Sequence, residues 1–118
     1  MYGLPQNVNL AFFAGRTLLQ VCIGAHDLIL NFDGNVSVTV TSSVGCIGPD
    51  GAIQQYVNFR LAAPAVLDLL NHVIVSAEGD QEGTLTLKFQ DGGTLSIYDD
   101  SKEYESYIIR SNEQVIVV

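Results

Sequence analysis

The residues best suited to chemistry lie in one stretch near the C-terminus, which reads IYDDSKEYESYIIR from Ile97 to Arg110. Its carboxylates are Asp99, Asp100, Glu103 and Glu105. Carboxylate oxygens suit a hard cation, and two carboxylates can act as acid and base if an apolar pocket raises the pKa of one. The stretch lacks the alternating acids and central Gly of an EF-hand loop, and Lys102 lies among the acids. We therefore expect neither a metal site nor a catalytic pair.

The rest of the chain offers few other groups for catalysis. Cys22 and His26 are four residues apart, but across a strand end, so His26 is expected to be a turn residue rather than the base of a thiol nucleophile. His72 follows a predicted helix, where a cation is favourable. The run QDGGTL reads as a hairpin turn and not as a phosphate loop, and no zinc spacing occurs. We predict no catalytic residues, no metal, no cofactor and no enzyme activity.

The acidic stretch can also be interpreted as a turn and as a contact surface. Asp99, Asp100 or Ser101 is expected to cap the backbone N–H groups of a turn, with Tyr104 and Tyr107 anchoring it. Tyrosine is enriched at binding surfaces. The predicted partner-binding residues are Tyr98, Asp99, Asp100, Glu103, Tyr104, Glu105 and Tyr107.

Strands with period-two alternation must position this stretch, and they come in two matching blocks. The first block alternates at Leu19, Val21, Ile23, then Leu28, Leu30, Phe32, then Val36, Val38, Val40. The second alternates at Val73, Val75, Ala77, then Leu85, Leu87, Phe89, then Leu95, Ile97. The pattern predicts a β-rich α+β fold: an antiparallel sheet of about eight strands built from two three-stranded meanders, with one or two short helices. Residues 1–118 are expected to form a single domain.

The hairpin registers follow from the rule that opposite residues share a face. A three-residue loop over 33–35 pairs Phe32 with Val36. A similar loop over 91–93 would pair Phe89 with Leu95 and make the second hairpin one pair longer. The likeness of the blocks suggests an internal repeat.

The segments between and around the blocks carry the helix signals. Residues about 53–60 are predicted to form a strand, and Pro64 to open a helix through "APAVLDLL". Near the N-terminus, Asn9 is expected to cap a short helical turn. The last hairpin is expected to turn at about 111–113, with Val115 and Val117 facing the same way as Tyr107.

The charge of −8, from 13 acidic and 5 basic residues, argues against nucleic acid and anionic membrane as partners. It suits a basic protein. No signal peptide or membrane span is recognised, and the two cysteines show no paired spacing, so a cytoplasmic location is expected.

The sequence resembles a family of small, functionally uncharacterised bacterial domains with the signature GxLxLxFx(D/N)GxxLxIxDDSxxYESYxI. The matching residues are Gly83, Leu85, Leu87, Phe89, Asp91, Gly92, Leu95, Ile97, Asp99, Asp100, Ser101, Tyr104, Glu105, Ser106, Tyr107 and Ile109. Such domains look like small acidic proteins encoded near bacterial toxin genes, many of which are immunity proteins. The resemblance implies a non-enzymatic protein that neutralises a toxin by direct contact, with a basic toxin domain as partner.

Two alternatives stay open. In the first, the chain is a small-molecule or nucleotide-binding module, which would need a deep apolar pocket lined by Tyr98, Tyr104 or Tyr107. In the second, it forms a homodimer through an edge strand such as the terminal "VIVV".

Overall fold

Ten β-strands, one α-helix and one short 3₁₀-helix make up the fold in the computed structural model, which describes residues 3–5, 8–48, 50–112 and 114–118. In chain order the elements are the 3₁₀-helix (Ala11–Phe13), β1 (Leu18–Ile23), β2 (Leu28–Phe32), β3 (Val36–Val40), β4 (Ser43–Ile47), β5 (Ile53–Tyr56), α1 (Phe59–Leu67), β6 (Ile74–Gly79), β7 (Leu85–Phe89), β8 (Thr94–Tyr98), β9 (Tyr107–Arg110) and β10 (Val115–Val117).

The strands form two antiparallel sheets of five strands each, in the orders β1-β2-β3-β9-β10 and β5-β4-β8-β7-β6. The predicted β-rich α+β class is confirmed, whereas the predicted single sheet of about eight strands is wrong. Each three-stranded meander is present, but the chain then crosses over and adds a hairpin to the other sheet. Alternation fixes which face of a strand is apolar, and it carries no information about which sheet the strand joins.

The core lies where the inward faces of both sheets meet, and the two helices cover it. Strands β2, β3 and β7 bury every second residue, as their alternation predicts. The 3₁₀-helix contributes Phe13, and α1 contributes Phe59, Ala62 and Val66. Asn9 Oδ1 accepts a hydrogen bond from Ala11 N at 2.9 Å, but the N-cap position of the 3₁₀-helix belongs to Leu10 rather than to the predicted Asn9.

A β-bulge near the start of each meander corrects the predicted faces of β1 and β6. The register shifts between Leu18 and Gln20 in β1, and between Ile74 and Ser76 in β6. A bulge inserts one residue and changes the phase of the alternation. Leu18 and Ile74 are therefore buried, while Leu19 and Val75, predicted to face inward, are 56% and 58% exposed.

The two meanders meet through reciprocal backbone bonds, which supports the predicted internal repeat. Gly15 N donates to Ile74 O at 2.8 Å, and Asn71 N donates to Leu18 O at 2.8 Å. Each residue of one bond lies 56 positions from its counterpart in the other. Reciprocal contacts of this kind are what a two-fold relation produces, so the halves are related by an approximate internal two-fold.

The hairpin of the first meander has the predicted register, with Phe32 opposite Val36. The second differs: Leu87 lies opposite Leu95, because the loop is 90–92 rather than 91–93. Both registers place apolar residues opposite each other, so alternation could not separate them. Gly92 has φ +86°, and the left-handed residue at the end of a three-residue loop decides the register. Both hairpins therefore turn through three residues, and the second is not one pair longer than the first.

Helix α1 begins five residues before the predicted Pro64 start, and β5 is correspondingly shorter than the predicted strand over 53–60. Asn58 Oδ1 accepts from Arg60 N at 3.0 Å and caps the helix, while Phe59 is buried in the core. Pro64 lies inside the helix. The preference of proline for the first turn led to the predicted start at Pro64. The Asn58 cap and the burial of Phe59 instead favour the earlier start, despite the N–H that Pro64 lacks inside the helix.

The C-terminal hairpin of β9 and β10 forms as predicted, although Glu113 of the predicted turn lies outside the described residues. Its face assignment needs one correction. Ile116 lies opposite Ile109 and is buried. Val115 and Val117 are exposed, since neighbours of an inward residue on a strand point outward.

Candidate functional site

The acidic stretch is a connection between the two sheets. Residues 99–106 join β8 to β9, and we call this segment the long crossover. Thr41 and Ser42 join β3 to β4 at the equivalent place in the first half, and we call them the short crossover. The stretch is therefore part of the frame that links the halves.

A buried serine organises the long crossover. Ser106 Oγ donates to Asp99 Oδ1 at 2.7 Å and accepts from Ser101 N at 3.1 Å. Ser101 Oγ accepts from Tyr104 N at 3.3 Å, so Ser101 is the capping residue among the three predicted. The Asp99 carboxylate also accepts from Gly3 N at 2.9 Å. These bonds hold the segment in one shape.

The hydroxyl groups of the run Thr41-Ser42-Ser43 tie the short crossover and the start of β4 to the long one. Thr41 Oγ1 donates to the carbonyl oxygen of Glu105 at 2.7 Å. Ser42 Oγ donates to the carbonyl oxygen of Tyr98 at 2.6 Å, and Ser43 Oγ to Asp100 Oδ2 at 2.6 Å. This role of the three hydroxyl groups was not predicted. Three hydroxyl residues at the end of an alternating strand were the available signal.

Tyr107 joins the long crossover to the turn between β6 and β7. Its side chain is fully buried, and its hydroxyl donates to the carbonyl oxygen of Gly83 at 2.6 Å. Burial, with a smaller contribution from the charge of Asp80, raises the pKa of Tyr107. An added side-chain carbon at Gly83 would lie 2.7 Å from Asp99 Oδ2, so only glycine permits this close approach.

The turn 80–84 and the long crossover together form what we call the acidic face. The turn contributes Asp80 and Glu82, the crossover contributes four acids, and Lys102 is the single basic residue of the two segments. Asp80 itself accepts backbone N–H groups of the turn at 2.9 Å. Only the crossover acids were predicted to form a surface, because Asp80 and Glu82 lie about twenty positions earlier in the chain.

The seven predicted binding residues fall into three groups. Asp100, Glu103 and Tyr104 are exposed, Tyr104 to 67%. Tyr98, Asp99 and Glu105 are half-buried. Tyr107 is buried and cannot touch a partner, and exposed Tyr104 does not anchor the turn as predicted. Over the described part of the chain, no group of three or more His, Cys, Asp or Glu side chains could hold a metal ion.

Two clefts occupy equivalent places in the two halves. The His72 cleft, of about 280 Å³, is lined by Cys46, Ile47, Gly48, Ala65, Asp68, Leu69, His72, Asp91, Gly93 and Thr94. The Arg16 cleft, of about 230 Å³, is lined by Phe12, Arg16, Gly34, Val36, Ser111, Asn112 and Gln114. By the repeat, Arg16 corresponds to His72 and Gly34 to Asp91. Neither cleft is lined by the tyrosines that a nucleotide-binding pocket was expected to use.

The two histidines and the two cysteines have different surroundings. His26 is exposed in the turn after β1, as predicted. His72 Nε2 lies 3.1 Å from Asp91 Oδ2, a pairing that the sequence did not indicate. Both cysteines are free thiols. Burial raises the pKa of Cys46, which keeps its thiol protonated and weakens it as a nucleophile.

A protein-family profile matches residues 11–118 and carries the description "Family of unknown function (DUF6188)". The chain belongs to this family. The match spans the acidic face and both clefts, and it assigns no activity to them. No curated protein and no solved structure matches the chain. Within the described ranges, α1 and any other helical segment are too short or too polar to cross a bilayer.

Proposed function

We propose that the protein is a non-enzymatic binding protein of the immunity type, which neutralises a bacterial toxin by direct contact through the acidic face. One observation carries the proposal: Tyr107 and Gly83 join two acidic segments that are distant in sequence. The resemblance to acidic proteins encoded near toxin genes supplies the class of partner.

The acidic face is held in place before any partner arrives. Ser106 is fully buried beneath it, and the three hydroxyls of residues 41–43 hold it from the short crossover and the start of β4. A surface ordered in advance loses little conformational entropy when it binds. This suits tight contact by a segment that contains no regular secondary structure.

The charge of the face favours a basic partner. Glu82 and Glu103 are exposed, and the whole chain carries −8. Complementary charge speeds the encounter of two proteins and makes the association rate sensitive to salt. A toxin domain whose active surface binds nucleic acid or another anionic substrate would present such a basic surface.

The proposal places the protein in the cytoplasm. Cys22 and Cys46 are both free thiols, and free cysteines are usual in a reducing compartment.

The test is to express the toxin encoded beside the gene with and without this protein, and to measure cell survival and binding. E82Q/E103Q removes two charges from the face. D33N/D50N removes two from other turns while keeping oxygens that accept the Thr17 and Ala52 N–H groups. We expect E82Q/E103Q to slow association roughly threefold or more at low salt, and D33N/D50N to change it less. Equal killing with and without the protein would refute the proposal.

Homodimer formation through β10 stays a prediction. Val115 and Val117 are exposed on this edge strand, and exposed apolar edges tend to pair. A mass in solution that corresponds to the monomer would exclude the homodimer.

A further inference from the structure

The His72 cleft differs from the acidic face because it is concave and partly apolar. It lies between the C-terminal end of α1, the end of β4 and the turn between β7 and β8. Ile47, Ala65 and Leu69 form apolar parts of its wall. Its volume of about 280 Å³ is slightly below the ~300–1,000 Å³ of sites for whole small molecules. It therefore suits a single side chain better than a cofactor.

The charged groups around the cleft favour a cation. Asp68 and Asp91 line it, and His72 Nε2 fixes Asp91 Oδ2 at 3.1 Å. Asp68 ends α1, so the negative end of the helix dipole adds to the two carboxylates. Among the described residues that line the cleft, none is Lys or Arg.

In the Arg16 cleft, the equivalent positions hold a guanidinium group of the chain itself. Arg16 Nη1 lies against Gly34, at the position that corresponds to Asp91 in the other half. Arg16 Nε also donates to the carbonyl oxygen of Phe12 at 2.9 Å, and Phe12 corresponds to Asp68. One half thus has an arginine of its own in the wall of its cleft. The other half has a histidine there and two carboxylates around it.

We infer that the His72 cleft receives a lysine or arginine side chain from the protein partner. The aliphatic stem lies against Ile47, Ala65 and Leu69, and the charged head lies between Asp68 and Asp91. The inference rests on the proposed function and gives it an anchoring contact. Long cationic side chains bind in this way because stem and head have different partners.

The first test titrates the isotope-labelled full chain with N-acetyl-lysine methylamide and N-acetyl-arginine methylamide, followed by amide NMR shifts. The norleucine analogue is the matched neutral control. We expect saturable shifts at Ala65, Leu69, Asp91 and Gly93, with the neutral analogue about tenfold weaker. Amides of the Arg16 cleft should not move. Equal binding of norleucine, shifts confined to the acidic face, or no saturable shift would overturn the inference.

The second test separates this inference from the proposed function. D68N/D91N keeps the shape of the cleft and removes both charges, and we expect it to weaken the lysine analogue roughly three- to tenfold. It should also slow toxin association and speed toxin dissociation. If the toxin binds D68N/D91N as it binds the original chain while E82Q/E103Q weakens it, the inference fails and the proposed function stands. If the lysine analogue binds the cleft but no toxin is neutralised, the cation site stands and the proposed function fails.

Discussion

The two halves of the repeat share their strands, their bulges and their turn bonds, yet they differ at the crossover and at the cleft. The first half crosses between the sheets in two residues, 41 and 42, and the second uses the eight residues 99–106. The first half has Arg16 in its cleft, and the second has His72 with two carboxylates at the equivalent place, although both clefts are open. Elements common to both halves build the frame, so the differences are where a function specific to this protein is expected.

The comparison first predicts equal stability contributions from equivalent core residues. Leu30 and Leu87 are both fully buried, one in each meander. L30A and L87A should each lower the free energy of unfolding by about 3 kcal/mol, since both remove the same buried atoms. Urea denaturation measures this. A difference of more than about 2 kcal/mol between the variants would show that the halves are not equivalent in packing.

Unlike the equivalent core residues, the two crossovers should contribute unequally to the free energy of unfolding. S106A removes a buried hydroxyl that donates to Asp99 and accepts from Ser101 N, and should cost about 2 kcal/mol. Thr41 is exposed, so T41A should cost about 1 kcal/mol or less. Denaturation of both variants tests this order. The reverse order would mean that the short crossover is the main link between the sheets.

We expect the stability of the protein to fall at high pH because of Tyr107, a residue of the second half. Its pKa is raised in the folded protein by burial and by Asp80, whereas an unfolded tyrosine titrates near ~10. The unfolded chain thus loses this proton first, and the contribution of Tyr107 to stability is full below that pH and declines above it.

Thermal unfolding between about pH 8 and 11 measures the effect. Y107F should lose about 1 kcal/mol at neutral pH through the missing bond to Gly83, and its stability should then fall less steeply with pH. An equally steep fall in Y107F would assign the effect to other groups.

The smallest effects are expected at the equivalent loop ends. Asn35 has φ +61° and Gly92 has φ +86°. G92A should cost about 1 kcal/mol, because alanine is strained in the left-handed region. G92N and N35G should each change stability by only a few tenths, since Asn and Gly both adopt that region. If G92N lowered the free energy of unfolding by much more, the two loops would differ in backbone conformation and not only in sequence.

Much of the frame could be predicted from the sequence because it depends on local patterns. Alternation located most strands, and the turn residues identified the first hairpin. The short helical turn near the N-terminus was also predicted, although its N-cap residue is Leu10 and not Asn9. The site was recovered in part. The acidic crossover was recognised, but its partners Gly83 and Ser43 lie elsewhere in the chain, and the His72–Asp91 pair joins two segments whose contact no local pattern encodes.

By itself, the sequence determined the period of each strand, the apolar faces away from the bulges, the charge of the chain and the composition of the acidic crossover. These follow from neighbouring residues and from simple counting. Only the tertiary structure decided that the strands divide between two sheets, that Tyr107 is buried, and that Asp80 and Glu82 join the crossover acids. Such choices depend on the packing of distant segments around one core, where several registers and sheet assignments satisfy the same alternation.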